Sequence, residues 1–360
     1  MENGGEGIDR LDQLPDHILH HILSFLDTKH SVQTSVLSNR WRSLWKNVTH
    51  LNFNRDSFTS YPCFSRFLKD ALDAFGGDDS RIVKVSYKER NLWRRTHVRK
   101  FHGIMKYAKS HHIRHLRIHS GTSMRSNFWD LVGSFLNCDL DTLELGRVSV
   151  VAPLDWMGFR ILENLAMEDC LLHCYSEKDI GFFTNFPCLK NLVLSDCDFV
   201  HAKKCFKVYG PQLLNLEIQG MNLQKAPVQI VAPKLKFFSY VFISVVPEFS
   251  QLSLPLLDHA NIGSKYALHS VEEKKAMVTA NFVNLFQGLH NATSLRLDYH
   301  IIQALSKICD GLEHQPCPFT RLKCLKVPCS EESCTIPPQL INYFLKGSST
   351  TNPAAFLQFV

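Results

Sequence analysis

The 360 residues contain no Gly-x-Gly-x-x-Gly and no Walker-type loop, so no glycine-rich backbone is set to cradle a nucleotide phosphate. No Gly-x-Ser-x-Gly elbow is present. Ser, His and Asp are plentiful, but abundance without a motif does not make a triad. The 12 cysteines include no C-x-x-C pair, so a structural zinc centre has little support. This holds even where Cys170, His173 and Cys174, or Cys317, Cys324, Cys329 and Cys334, come close in sequence. Cys170, Cys197 and Cys324 read instead as small buried residues. No apolar run approaches the roughly 18 residues of a membrane span. The opening Met1–Arg10 is acidic and glycine-rich and lacks the apolar core of a secretory signal. The expectations are a reducing compartment, nucleus or cytoplasm, with free thiols, no metal and no cofactor.

One further absence is local. Between Glu89 and Asp130 there is no acidic residue, whereas ten lysines and arginines and six histidines fall there. Two readings are open. Arg94, Arg95, Arg99 and Lys100 either face water on a solvated helix or form a patch for an anion or an acidic partner. The net charge of +6 over the whole chain does not by itself imply nucleic acid.

What is present is a globular composition, with 45% hydrophobic and 21% charged residues. The length suits two domains or one long repeat array. Residues 8–48 read as three short helices. Pro15 suits a first helical turn. Ile18, Ile22, Phe25 and Leu26 follow on one apolar face. A second helix carries Val32, Val36 and Leu37. Ser38 is a candidate N-cap for a third, in which Trp41, Leu44, Trp45 and Val48 form a stripe. Some forty residues cannot close a core over so many large apolar groups. Another element or another chain should cover part of them.

The literal sequence sharpens this. Leu14-Pro15-Asp16-His17-Ile18-Leu19 through Ile22-Leu23-Ser24-Phe25-Leu26, then Val36-Leu37-Ser38-Asn39-Arg40-Trp41-Arg42-Ser43-Leu44-Trp45, resembles an F-box. In particular it is similar to the F-boxes of plant F-box proteins with leucine-rich repeats. The resemblance implies docking on a Skp-type adaptor, and through it on a cullin–RING ubiquitin ligase. Leu14, Pro15, Ile18, Ile22 and Leu26 match the adaptor surface of the first helix. Val36, Leu37 and Trp41 match positions that contact the adaptor or brace the fold.

Beyond Leu51 a unit L-x-x-L-x-L recurs nine times, from Ile113/Leu116/Ile118 to Leu322/Leu325/Val327, mostly at the spacing of a leucine-rich repeat. In four copies a proline stands two residues before the first apolar position: Pro187, Pro211, Pro233 and Pro255. One such unit cannot close a core, but a stack can. The predicted fold is α/β: a three-helix F-box over 8–48, an irregular repeat solenoid over 49–345 with a parallel sheet on its concave face, and a tail over 346–360. The segment 263–291 is the longest insertion, with Val271–Gly288 helical in pattern. The implied role is a non-catalytic substrate receptor for an unknown target protein, with no membrane or nucleic-acid partner. A repeat scaffold acting outside degradation is the alternative.

Overall fold

The computed structural model describes residues 11, 13–75, 84–89, 103–104, 106–108, 110–120, 139–151, 159–173, 183, 186–200, 205–221, 227–268, 271–327, 336–346 and 356–359. The chain divides into two compact units, one ending at Arg147 and the other beginning at Val148.

The first unit opens with α1 (Asp16–Ser24), α2 (Thr28–Gln33) and α3 (Trp41–Leu44), with 3₁₀ turns at Thr34–Val36 and Trp45–Asn47. Two details differ from the sequence reading. Pro15 is the N-cap of α1 rather than its first-turn residue, and Arg40, not Ser38, occupies the N-cap of α3. Then come β1 (His50–Asn54), α4 (Tyr61–Ala74), β2 (Lys84–Glu89), β3 (His115–Ser120) and β4 (Thr142–Gly146). The four strands pair in parallel in that order. Alternate side chains point inward: Leu51 and Phe53, Val85 and Tyr87, Leu116 and Ile118, Leu143 and Leu145 are all buried. Helix α4 covers this layer with Phe64, Leu68 and Ala71. Its start is capped by Ser60, whose hydroxyl accepts from the Cys63 amide. Residues 103–104, 106–108 and 110 are helical, and Tyr107 donates its hydroxyl to the Phe75 carbonyl at 3.1 Å.

In the second unit the main parallel sheet contains β6 (Asn164–Glu168), β8 (Asn191–Ser195), β11 (Asn215–Gln219), β13 (Phe237–Phe242), β15 (His259–Ser264), β16 (Ser294–Leu297), β17 (Cys324–Val327) and β18 (Leu357–Phe359), in that order. All nine L-x-x-L-x-L units of the two chain halves thus supply strands, and the first apolar residue of each is buried. The register stacks like on like: Leu165, Leu192 and Leu216 are mutual partners, as are Met167, Leu194 and Ile218.

The local chemistry of the second unit's repeats explains the prolines. Phe186-Pro187-Cys188-Leu189 closes a β-turn, with the Leu189 amide donating to the Phe186 carbonyl at 3.3 Å. The same turn recurs at Gly210–Leu213, Ala232–Leu235 and Leu254–Leu257. In each, proline holds the second turn position, where its fixed φ fits. The following two amides then both donate to one carbonyl of the preceding repeat, as Lys190 and Asn191 do to Glu163, and the ladder begins.

The strand exits repeat as well. Asp169, Asp196 and Gly220 have φ of 51°, 53° and 65° and stand just past β6, β8 and β11. Their amides donate to Ser195, Gln219 and Val241 carbonyls, which extends the ladder by one bond each. The left-handed step reverses the chain so that the next residue, Cys170, Cys197 or Met221, returns to the core. Asp and Gly tolerate that step better than most residues.

Three features were not foreseen. Short strands β5 (Ser149–Val151), β7 (Leu171–His173) and β9 (Asp198–Val200) form one small parallel sheet. Strands β10 (Phe206–Tyr209), β12 (Val228–Val231) and β14 (Phe249–Ser253) form another. The return segments between the main strands are therefore partly strand. The segment read as a tail contains β18, which pairs with β17 in parallel. The insertion does fold as a helix, Lys275–Gly288. Its terminal glycine lies against Leu252 of β14, where a Cβ would sit 2.4 Å from the leucine side chain.

Gly220 offers a test of the exit geometry. Beyond its positive φ, a Cβ there would collide with the Asp196 carboxylate and the Lys265 ammonium, which form an ion pair across it. Gly220→Ala is expected to cost at least about 1–2 kcal/mol from the left-handed conformation alone, read as a lower denaturation midpoint; an unchanged midpoint would show that this exit relaxes freely.

Candidate functional site

The three-helix head presents two apolar faces, where the sequence suggested one. Leu19 and Leu23 on α1 are buried and pack inward with Trp41, Leu44 and Val48. Ile18, Ile22 and Phe25, at i, i+4 and i+7, form the other face of the same helix and stay in solvent. Phe25 is 75% exposed, and Val36 and Leu37, at the end of the 3₁₀ turn, are 85% and 57% exposed. Among the described residues, six of the twelve exposed large apolar side chains fall between Leu11 and Leu37. That concentration is the mark of a surface made for a partner.

The residues matched to the adaptor surface separate accordingly. Pro15, Ile18, Ile22, Val36 and Leu37 are exposed, while Leu14 and Leu26 are half-buried. Trp41 is only 3% exposed, so its indole braces the head from within rather than lying on its surface. Phe25, left out of that set by sequence matching, is the most exposed apolar side chain of α1. The sequence placed it beside Ile18 and Ile22 but gave no sign of which face was inner.

Polar contacts fix how the head is held. The Arg40 guanidinium donates to Asp16 Oδ1 through Nε at 2.9 Å and to the Leu14 carbonyl at 2.5 Å, which ties the start of α1 to the start of α3. Asp27 caps α2, accepting from the His30 amide at 2.8 Å, and its other oxygen accepts from the Ser57 hydroxyl at 2.6 Å. The buried Thr28 hydroxyl accepts from the Asn52 amide of β1 at 2.8 Å. Lys29 lies over the Phe58 ring at 4.7 Å and donates to the Ser57 carbonyl. Helix α2 is thus bonded directly to the first strand and to the turn after it.

Other sequence candidates fare differently. Arg94, Arg95, Arg99 and Lys100 lie outside the described residues, as do Cys174, Cys329 and Cys334. Among the described residues no group of three or more His, Cys, Asp or Glu could hold a metal ion, and no helix is long and apolar enough to cross a membrane. Cys170 and Cys197 are buried free thiols at equivalent exits of successive repeats. Their mutual hydrogen bond, with burial, holds the Cys197 thiol far above the ordinary range. Cys324 is only half-buried.

Comparison with known proteins gives the head its family. Residues 11–52 match the F-box domain. The chain carries an F-box. The match runs into β1, past the boundary at 48 expected from the helices. A putative F-box/LRR-repeat protein of Arabidopsis thaliana is 25% identical over 306 residues, covering 84% of this chain and 62% of the relative. F-box/LRR-repeat protein 25 of the same plant is 28% identical over 235 residues, covering 64% of this chain and 84% of the relative. An Arabidopsis F-box protein is 47% identical over 93 residues, 25% of this chain and 22% of the relative. Together these findings support a plant F-box/LRR family. The matches span 62%, 47% and 62% of the length of three such relatives.

The two faces of α1 predict opposite phenotypes. Leu19→Ala should cost about 2–5 kcal/mol and Trp41→Ala about 3–5 kcal/mol, as large-to-small changes in a core do. Val36→Ala and Phe25→Ala should stay within about 0.5 kcal/mol of the parent, as exposed substitutions usually do. Thermal or chemical melts of the four variants decide it, and a large loss at Phe25 would mean that this ring is part of the core.

Proposed function

We propose that the chain is the substrate-recognition subunit of an SCF-type cullin–RING ubiquitin ligase. The F-box holds a Skp-type adaptor through Leu14, Pro15, Ile18, Ile22, Phe25, Leu26, Val36 and Leu37, with Trp41 bracing them. The repeat region, a solenoid in this reading, holds the target protein. The observation that carries the reading is the exposed apolar face inside the matched F-box, built over a separate, closed inner face. A protein that used these residues only as a cap would have buried them.

In this role the chain performs no bond chemistry. It fixes the target beside a transferring enzyme and converts a bimolecular encounter into an intramolecular one, with the gain in effective concentration that tethering brings. Such work needs rigidity between grip and target, and the bonds from Thr28 and Asp27 to β1 and Ser57 provide it at the head. The setting for the ligase is the nucleus or the cytoplasm.

The test is co-expression of the full chain with a Skp-type adaptor. The parent should co-purify with it. Phe25→Asp with Leu37→Asp should abolish recovery while melting like the parent, because both side chains are exposed; Leu14→Ala with Pro15→Ala, at a half-buried and an exposed position, should abolish it in a chain that still folds. Adaptor recovery unchanged by both double variants overturns the assignment. A chain that binds adaptor but leaves every bound target unmodified in a reconstituted ubiquitination reaction would instead be a scaffold working outside degradation.

A further inference from the structure

Each strand of the first unit turns its even-numbered or odd-numbered residues away from the core, and the parallel register lines these outward positions into rows. The first row holds His50, Lys84, His115 and Thr142. The second holds Asn52, Ser86, Arg117 and Glu144, and the third Asn54, Lys88, His119 and Gly146. Three permanent cations and three histidines thus face a single carboxylate. The second unit's equivalent rows are different in kind. Asn164, Asn191 and Asn215 make one row and pass side-chain hydrogen bonds along it, and the next holds Ala166, Val193, Glu217, Ser239, Asn261, Arg296 and Lys326. The first unit differs in setting a cation in each of three adjoining rows around one carboxylate.

The single acid shows what the face is shaped to hold. Glu144 receives His115 Nε2 at 2.6 Å and Arg117 Nε at 3.2 Å, with Lys84 Nζ at 3.8 Å. The hydrogen bond from His115 is the main reason its carboxyl lies below the ordinary glutamate range, with Arg117 and Lys84 acting the same way and burial opposing them. Three donors from two neighbouring strands thus converge on one carboxylate. One row over, Lys88 is exposed and has no ion-pair partner among the described residues. At the end of that row the His119 ring covers Gly146, occupying the space a Cβ would fill.

We propose that this face binds an extended acidic peptide segment of a target protein, with Lys84, Lys88 and Arg117 as its carboxylate contacts and Glu144 as the resident group that such a segment competes with. This deepens the receptor reading above by naming a class of target, and rests on it. Residues four apart in an extended chain lie roughly 13 Å apart and adjacent strands about 4.7–4.9 Å apart, so carboxylates four residues apart on one side of the peptide fall in step with Lys84 and Lys88 of β2, while Arg117 of β3 stands in the row between them. A nucleic acid fits less well. No Phe, Tyr or Trp stands at these outward positions to stack a base, and Glu144 repels a continuous line of phosphates.

The experiment measures fluorescence anisotropy of three labelled probes with the full chain: a short peptide of alternating Glu and Thr, its Gln-for-Glu analogue, and a single-stranded oligonucleotide of equal charge. The Glu peptide should bind, weaken steeply with salt as the Debye length shrinks, and outcompete the oligonucleotide. The Gln peptide should not bind. Lys88→Glu, at an exposed position, should weaken the Glu peptide about tenfold, as charge reversal at a complementary surface does. Glu144→Gln should tighten it severalfold, an effect that loss of folding cannot imitate. Equal binding of the Gln peptide, an oligonucleotide that binds more tightly than the Glu peptide, indifference to Lys88→Glu, or no gain from Glu144→Gln each overturns the proposal. The same preparations are scored for adaptor recovery. Adaptor bound and peptide ignored refutes this inference alone; peptide bound and adaptor ignored refutes the receptor reading and leaves the acidic-segment site standing.

Discussion

In-register parallel pairing between strands some 22 to 35 residues apart in sequence is the constraint on which the rest of the molecule depends. A parallel strand cannot pair with its chain neighbour through a tight turn; the chain must travel away and return. Every return therefore needs a defined exit and a defined entry. The exits at Asp169, Asp196 and Gly220 supply the left-handed step, and the proline turns at 187, 211, 233 and 255 supply the entry. Both devices keep the register, because each adds hydrogen bonds to the ladder at the point where the strand ends or begins. A slip of one residue would turn every buried leucine outward at once.

The F-box meets the same constraint from the other end. A stack of strands needs its first edge covered, since a bare edge offers unpaired amides and carbonyls to any other chain. The head does this through specific bonds: Thr28 takes the Asn52 amide of β1, and Asp27 reaches Ser57 just beyond it. The match to the F-box domain running to residue 52, the third residue of the strand, agrees with this physical joint. The head is too small to bury all of its apolar side chains, and it spends that surplus on one exposed surface.

The repeat strands were legible because their signal is redundant. An apolar residue at i, i+3 and i+5 recurs nine times, so one weak copy such as Leu257/Ala260/Ile262 is carried by its neighbours. The short strands at Ser149–Val151, Leu171–His173 and Asp198–Val200 have no such support. Strands of three residues resemble any loop, and their pairing is imposed by the strands before them. The strand at Leu357–Phe359 was hidden for the same reason. On α1 the difficulty was the reverse. Leu19 and Leu23 stand about 100° round the helix from Ile18 and Ile22, so the two sets make one continuous apolar arc and periodicity cannot name its inner side. Trp41 could not be assigned as brace or contact until its burial was known.

The positive face of the first unit shows a further limit of reading along the chain. Lys84, His115, Arg117 and Glu144 belong to three strands, and Glu144 is 60 residues from Lys84 in the sequence. The long acid-free stretch drew attention to Arg94–Lys100, yet the residues of that stretch placed on the sheet are His115, Arg117 and His119, and their row partners come from outside it. Outward strand positions carry no duty to the core and none to the backbone ladder, so their chemistry is free to serve recognition. In the second unit part of that freedom is given up, because Asn164, Asn191 and Asn215 bond to one another and stiffen the sheet. In the first unit the ion pairs across the rows meet at Glu144, and its lysine and arginine partners lose one carboxylate and gain another when an acidic segment arrives. Exchange of like for like costs little desolvation, since the cations are paired in both states; an exposed, already solvated Lys88 adds attraction without that cost. A surface so arranged favours a partner by charge pattern and spacing rather than by buried apolar area, and it leaves the stability of the repeat stack untouched when the partner departs.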